Sequence, residues 1–387
     1  MENTDRLHTP DDAVAATYYI ETKEDLAKVA KELVVLETTA PWVAATEPTA
    51  LYKEAVGEVL EVNQTGPGRG YITLLYPVVN MDIETSAFPC LWLSMIGGPT
   101  FALASYEKSR LVDFSVPKAM MDKFSGPAFG IKGTRELVGL TNDELMIGTI
   151  VKPTAGLTPD EVADFAYQAA LGGICFIKDD EKMMNPAYCP LGIRVKKVSA
   201  ALKHAEEETG QKVLYAAHIT TTPDLIIDRA LEALENGATA LMVNFFAAGL
   251  FALQLLRKHP GISVPIYAHC GGREAFGRAA GQGISASVIV KMVRLLGGDY
   301  FRAGMYASYL VDTNEDIETM HEAARGSWCP YNPILPAVSG GLNPKTIEVN
   351  VSRLGTDNLF LAGTGILSNP SGPKAGVEAL RQAASVA

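Results

Sequence analysis

The chain of 387 residues is 48% hydrophobic and has a formal net charge of −11, with 44 Asp and Glu against 33 Lys and Arg. That length and apolar fraction bury a large core and point to two domains, and the acidic balance, with no offsetting Lys/Arg run, argues against nucleic acid or an anionic membrane surface as partner. The cysteines Cys90, Cys175, Cys189, Cys270 and Cys329 are widely spaced without a CxxC pair, and the N-terminus is polar and acidic. Reduced thiols in a cytoplasmic protein, without export or a membrane span, are therefore expected.

In chain order, residues 1–145 show strand patterns at "AATYYIET" (15–22) and "GYITLLYPV" (70–78), with an amphipathic helix "KEDLAKVAKELV" (23–34) between them. This predicts an N-terminal α+β domain of ferredoxin-like type. From about Thr149 short apolar runs alternate with amphipathic stretches. The predicted strands are "GTIVKP" (148–153), "ICFIKDD" (174–180), "KVLYAAHIT" (212–220) and "ATALMVNFF" (238–246), then "VPIYAHC" (264–270), "DYFRAG" (299–304), "NPILPAVSGG" (332–341) and "NLFLAGTG" (358–365). Helix signals follow each. "TPDEVADFAYQAALGG" opens with an N-cap threonine, a proline and early acids and closes on glycine, and "TPDLIIDRALEALENGA" repeats that grammar. Eight such units in about 240 residues match a (β/α)8 TIM barrel, assigned to residues 146–387. A doubly wound open sheet is the alternative, but no G-x-G-x-x-G follows the first strand. The fold class read from the sequence is thus α/β: a ferredoxin-like α+β domain, then a TIM barrel.

Functional residues in this fold lie at the C-terminal ends of the strands. The second strand runs into Lys178, Asp179, Asp180 and Glu181. Side chains alternate along a strand, so Lys178 and Asp180 share a face, Glu181 is free to turn inward, and Asp179 takes the other side as a salt bridge or cap. Two carboxylates suit a hard cation such as Mg2+, but an ammonium has no lone pair to offer it. Lys178 is then a counter-charge, a base of depressed pKa, or a lysine converted to an anion; a plain salt-bridge cluster is the competing reading. Lys152 closes the first strand and is a candidate proton carrier. His218 and His269 close the third and fifth, either as structural histidines or with one in acid/base work. Asn244 and Arg302 end the fourth and sixth. "VSGG" (338–341) and "AGTG" (362–365) end the last two, where small residues permit a phosphate or carboxylate site or simply tight turns.

"GGICFIKDDE" resembles the metal-site signature of the RuBisCO large-subunit superfamily, and "GTIVKPTAGLTPDE" resembles its first-strand motif. "SRLVDFSVPKAMMDKFSGPAFGIKGTRELVG" is similar to its domain junction, so the likeness runs over nearly the whole chain. The resemblance implies Mg2+ held by Lys178, carbamylated by CO2, with Asp180 and Glu181. It implies Lys152 as proton carrier and substrate contacts from the last two strand loops, with Ser339, Gly340, Gly341, Gly363, Thr364 and Gly365; to these the strand-end reading adds His269 and Lys178 in catalysis and Arg302, His218 and Asn244 as substrate contacts. It also implies a homodimer, or a multiple of dimers, whose N-terminal domain covers the partner's barrel mouth.

The departures are specific. Thr154 stands where the carboxylases have a second lysine, and Cys270 where an arginine grips the second phosphate. "AGMYASYLVDTNED" lacks the lysine that handles CO2, and Gly98 replaces an asparagine, while Glu37 and Trp42 match N-terminal site residues with the spacing one short. The sequence therefore resembles a RuBisCO-like protein of form IV type. The expected function is Mg2+-dependent enolisation of a keto sugar or keto sugar monophosphate, by an enolase of methionine salvage or by a sugar-acid decarboxylase or isomerase. The alternative is a non-catalytic metal-binding regulatory dimer on the same scaffold.

Overall fold

The computed structural model describes residues 7–384. In chain order the strands are β1 (Ala13–Thr22), β2 (Glu58–Gly66), β3 (Arg69–Pro77), β4 (Tyr106–Ser115), β5 (Met146–Ile150), β6 (Phe176–Lys178) and β7 (Leu214–His218). They continue as β8 (Ala240–Asn244), β9 (Ile266–His269), β10 (Gly283–Ile284), β11 (Tyr300–Arg302), β12 (Leu335–Val338) and β13 (Leu359–Ala362). The chain forms two compact units, the part up to Phe124 together with Glu274–Ile289, and Ser125–Arg273 with Val290 onward.

In the first unit the sheet order is β10-β4-β1-β3-β2, with helix Leu26–Thr38 between β1 and β2 and helix Ile83–Ile96 between β3 and β4. Without β10 this is the ferredoxin-like arrangement expected from the sequence. Helix Leu26–Thr38 is capped by Asp25, whose carboxylate accepts from Lys28 N, and buries the stripe Leu26, Val29, Ala30, Leu33 and Val34, one face of a 3.6-residue repeat. β2 gave no strand pattern because it is an edge strand with no fully buried residue. The short β10 is added parallel to β4, and Arg110 on β4 secures that segment by donating to Ser285 Oγ and the carbonyls of Gly277, Ala279 and Gln282.

In the second unit β5, β6, β7, β8, β9, β11, β12 and β13 close into a parallel barrel, with Phe360 of β13 opposite Ile147 of β5. Its interior is a single packed cluster including Met146, Phe176, Leu214, Ala216, Ala240, Met242, Tyr267, Tyr300, Leu335, Ala337, Leu359 and Leu361. Phe176 meets Tyr300 edge to face at 5.3 Å. The paired segments are shorter than the apolar runs that predict them, since the runs continue past the last ladder bond. The helix after β5, Pro159–Leu171, has the full capping box, Thr158 and Glu161 each accepting from the other's backbone N–H. The matching "TPDL" behaves differently. Thr222 makes no side-chain cap bond, Pro223–Leu225 form a 3-10 turn, and the α-helix starts at Ile226. Leu225 stands where the first motif has Glu161, so the reciprocal half of the box is missing.

Candidate active site

The interior cluster fixes which residues reach the barrel mouth. Side chains alternate along a strand, so the residue two past each interior residue faces the axis one layer higher. From Phe176 that step reaches Lys178, and from Ala216, Met242, Tyr267, Tyr300, Ala337 and Leu361 it reaches His218, Asn244, His269, Arg302, Ser339 and Gly363. Lys152 follows from Ile150 on β5 in the same way. The ring assembles nearly all the candidate positions without reference to chemistry.

Lys178 is buried to 1% exposure, and its Nζ donates to its neighbour's carbonyl, Asp179 O, at 3.0 Å. It lies 3.8 Å from Glu181 Oε2 and 5.6 Å from the centre of the Tyr267 ring. Burial lowers its pKa, against the opposing pull of Glu181 and Asp180. The Glu181 carboxyl is pushed up by burial but held below its usual value by the net effect of Lys178, backbone hydrogen bonding, Lys152 and His218. Lys152 Nζ reaches Asp180 Oδ2 at 2.5 Å and Thr154 Oγ1 at 3.1 Å. The Lys152–Pro153 peptide is cis. A Cβ on Gly363 would touch Lys152 Cε at 3.4 Å, so the glycine leaves room for that side chain.

Asp179 is the structural member of the quartet. Its carboxylate, fully buried, accepts from Arg194 Nε (3.2 Å) and Nη2 (3.1 Å), Tyr215 OH (2.9 Å) and His218 N (2.9 Å). His269 Nδ1 accepts from Gly271 N at 3.1 Å, which leaves the proton of the neutral ring on Nε2, 3.5 Å from Glu181 Oε2. Burial, helped by Lys178, His218, Arg302 and Lys152, keeps His269 well below its usual pKa, so the ring is neutral near pH 7. His218 is 1% exposed; burial lowers its pKa to about 4, and its Nε2 lies 2.6 Å from Thr220 Oγ1. Asn244 uses its side chain locally, accepting from Phe246 N and Ala247 N and donating to Gly271 O.

Two residues of this region gave no sequence signal. Arg302 Nη1 donates to Asp312 Oδ2 at 3.1 Å, and Arg273 donates to the other oxygen of the same carboxylate. Arg273 follows a glycine pair and Asp312 lies ten residues after Arg302, so neither falls on the strand-end pattern. Gly340 and Gly341 have φ of +122° and +111°, which only glycine adopts readily. Ser308 Oγ donates to Gly340 O at 2.7 Å, placing the loop after β11 against this turn. In the first unit, Glu37 accepts from Thr100 N at 2.8 Å and from the Thr100 hydroxyl. A side chain at Gly98 would collide with it, its Cβ lying 1.5 Å from Glu37 Oε2. Trp42 Nε1 donates to Thr46 O, and its ring packs on Tyr52 at 5.0 Å.

Among the described residues no three His, Cys, Asp or Glu side chains group as metal ligands. The donor set at the mouth, Asp180 and Glu181 with a buried amine between them, supplies two anionic oxygens and one nitrogen able to acquire more. It fits a hard cation only if Lys178 becomes an oxygen ligand. No helix among the described residues is long and apolar enough to cross a membrane.

A parallel barrel preceded by a ferredoxin-like domain, with a lysine and two carboxylates at the end of its second strand, defines a RuBisCO-type architecture. The family profile for the ribulose bisphosphate carboxylase large chain, catalytic domain, matches residues 120–387, and the chain belongs to this family. A 3-oxo-isoapionate-4-phosphate decarboxylase from Rhizobium rhizogenes is 33% identical, over 96% of this chain and 92% of that protein. A rubisco-like protein (MtnW) from Alicyclobacillus acidocaldarius superposes with a TM-score of 0.87 at 29% identity, covering 98% of this chain and 94% of that one. The octameric ribulose-1,5-bisphosphate carboxylase/oxygenase of Pyrococcus horikoshii superposes with a TM-score of 0.91 at 26% identity, covering 99% and 90%.

Proposed function

We propose that this chain is a Mg2+-dependent isomerase or lyase that removes a proton beside the carbonyl of a keto sugar or keto sugar monophosphate, and that it is not a ribulose bisphosphate carboxylase. The observation that carries this reading is the Lys178 amine, its side chain 2% exposed and 3.8 Å from Glu181. A buried amine pushed toward its neutral form has the free lone pair that adds to CO2. The nitrogen gives up one proton to water, and the resulting carbamate is the third anionic donor beside Asp180 and Glu181. These three residues would hold Mg2+, which would supply Lewis-acid polarisation of the substrate carbonyl.

The chain's own groups do the rest. Lys152, held by Asp180 and Thr154 at the mouth, carries the proton, and His269, neutral with its proton on Nε2, is the second carrier. The backbone of Ser339, Gly340, Gly341, Gly363, Thr364 and Gly365 holds one phosphate or carboxylate, where small residues let an anion approach. Arg302, positioned by Asp312, supplies the counter-charge. His218 and Asn244 complete the wall. We place the protein in the cytoplasm as a homodimer or a multiple of dimers.

Against bisphosphate carboxylation stand Cys270, Gly98 and the lysine-free loop after β11. The decarboxylase and rubisco-like relatives support enolate chemistry on another substrate. Proton exchange from candidate keto sugars and keto sugar phosphates in D2O, with Mg2+ and bicarbonate each present and withheld, tests the proposal. Exchange that requires both additives is expected. Absence of exchange across the panel despite measurable Mg2+ binding would favour a non-catalytic metal-binding protein.

A further inference from the structure

His218 has one ring nitrogen hydrogen-bonded and the other buried and open. Its Nε2 is 2.6 Å from Thr220 Oγ1, and its Nδ1 is buried with no partner among the described residues. Thr220 Oγ1 also receives the backbone N–H of Asn244 at 2.8 Å. A threonine hydroxyl has one proton to give. With Asn244 N–H necessarily a donor, that proton finds an acceptor only on His218 Nε2. Were His218 to donate instead, the Thr220 proton would have no acceptor among the described residues, an arrangement disfavoured for a buried hydroxyl. The network therefore puts the proton of the neutral ring on Nδ1, leaving a buried N–H donor without an acceptor.

What this donor faces follows from the strand register. Ala216 pairs with Lys178 across β7 and β6, and His218 is the next inward residue up β7, one layer above Lys178. Lys178 and Glu181 both act on the charge of His218. Among the described residues Lys178 Nζ donates to one backbone carbonyl and is shut off from solvent, so an anion built on it gains from a hydrogen-bond donor of the barrel wall in addition to a cation.

We propose that His218 is a positioning residue for a carbamate on Lys178, donating its Nδ1–H to a carbamate oxygen while Thr220 fixes the tautomer. The inference rests on the carbamate reading of the site. When Lys178 Nζ adds to CO2, a C–N bond forms, one C=O π pair becomes the carboxylate charge, and one proton leaves the nitrogen for water. The new anion meets the unpartnered N–H, and both groups are satisfied at once.

The test is carbamate loading followed by 13C NMR with 13C-bicarbonate at fixed pH and Mg2+, the signal assigned to Lys178 by its loss in K178A. H218L is expected to raise the bicarbonate concentration for half-loading about tenfold, as for one charge-assisted hydrogen bond. H218N, whose amide nitrogen sits near the Nδ1 position, is expected to restore loading to within about twofold of the native protein. Native-like loading in folded H218L overturns the proposal while leaving the carbamate site intact; absence of any carbamate in the native protein overturns both. Should H218L not fold, 15N NMR of the imidazole in the native protein decides: a proton on Nδ1 supports the assignment, and a proton on Nε2 ends it.

Discussion

Asp179 and Arg194 form a fully buried ion pair, Nη2 to Oδ2 at 3.1 Å, that ties the end of β6 to the helix Leu191–Thr209 behind it. The same carboxylate accepts from Tyr215 OH and from the backbone of His218, so one side chain fixes the ends of both β6 and β7. Removing one partner leaves the other charge buried. D179N is expected to destabilise the protein by about 3–5 kcal/mol. Urea unfolding measures this, and a loss under about 1 kcal/mol would show that the pair does not organise the two strands.

Lys178→Ala separates a metal site from a salt-bridge cluster. If Lys178 is a ligand, the variant folds but no longer binds Mg2+ in a bicarbonate-dependent manner, as read by calorimetric titration with and without bicarbonate. If the lysine only balances Asp180 and Glu181, the variant loses stability and its Mg2+ titration is unchanged.

Lys152→Met keeps the unbranched stem of the side chain and removes the amine that contacts Asp180 Oδ2. Proton exchange into substrate is expected to fall by about 10²–10⁴-fold, the range for a general acid or base. Mg2+ binding should persist. An exchange rate within a few-fold of the native one would move the proton-carrying role to His269.

His321, on helix Asn314–Arg325, is buried with neither ring nitrogen hydrogen-bonded among the described residues, and burial, with help from Arg325, lowers its pKa from 6.5 to about 3. The unfolded chain therefore binds the extra proton first. The stability this neutral histidine permits is complete above pH 6.5 and declines as the pH falls toward 3. The expected slope is about 1.4 kcal/mol per pH unit from this residue alone, and H321L should flatten the profile by that amount. Unfolding curves between pH 7 and 4 check it; an unchanged slope in H321L would mean that the ring gains a partner when protonated.

Gly341→Ala places a Cβ at φ +111° and 2.9 Å from the Tyr309 ring. The expected cost is about 1–3 kcal/mol of stability, together with weaker substrate binding if the Gly340–Gly341 turn holds the substrate anion. Thermal melting and KM, measured on the same variant, distinguish the two effects.

Much of this was legible in sequence because the physics is local. Short apolar runs, capped helices such as the one after Thr158, and the run Lys178, Asp179, Asp180, Glu181 announce the barrel and its second strand without any knowledge of neighbours. The alternation of side chains along that strand also sends Asp179 away from Lys178 and Asp180. Other features depended on partners distant in sequence. β2 escaped detection because edge burial leaves no alternating pattern, and the Thr222 helix start failed because its motif lacks the reciprocal acid. That Arg273 and Arg302 share Asp312, that Glu37 fills the space beside Gly98, and that Lys152 closes on Asp180 follow only once the chain brings those residues together. Sequence alone determined the residue chemistry and the layer each strand end occupies. Tertiary structure decided which charges neutralise one another, because desolvation and pairing depend on what lies within a few ångströms across strands, and sequence spacing does not encode that distance.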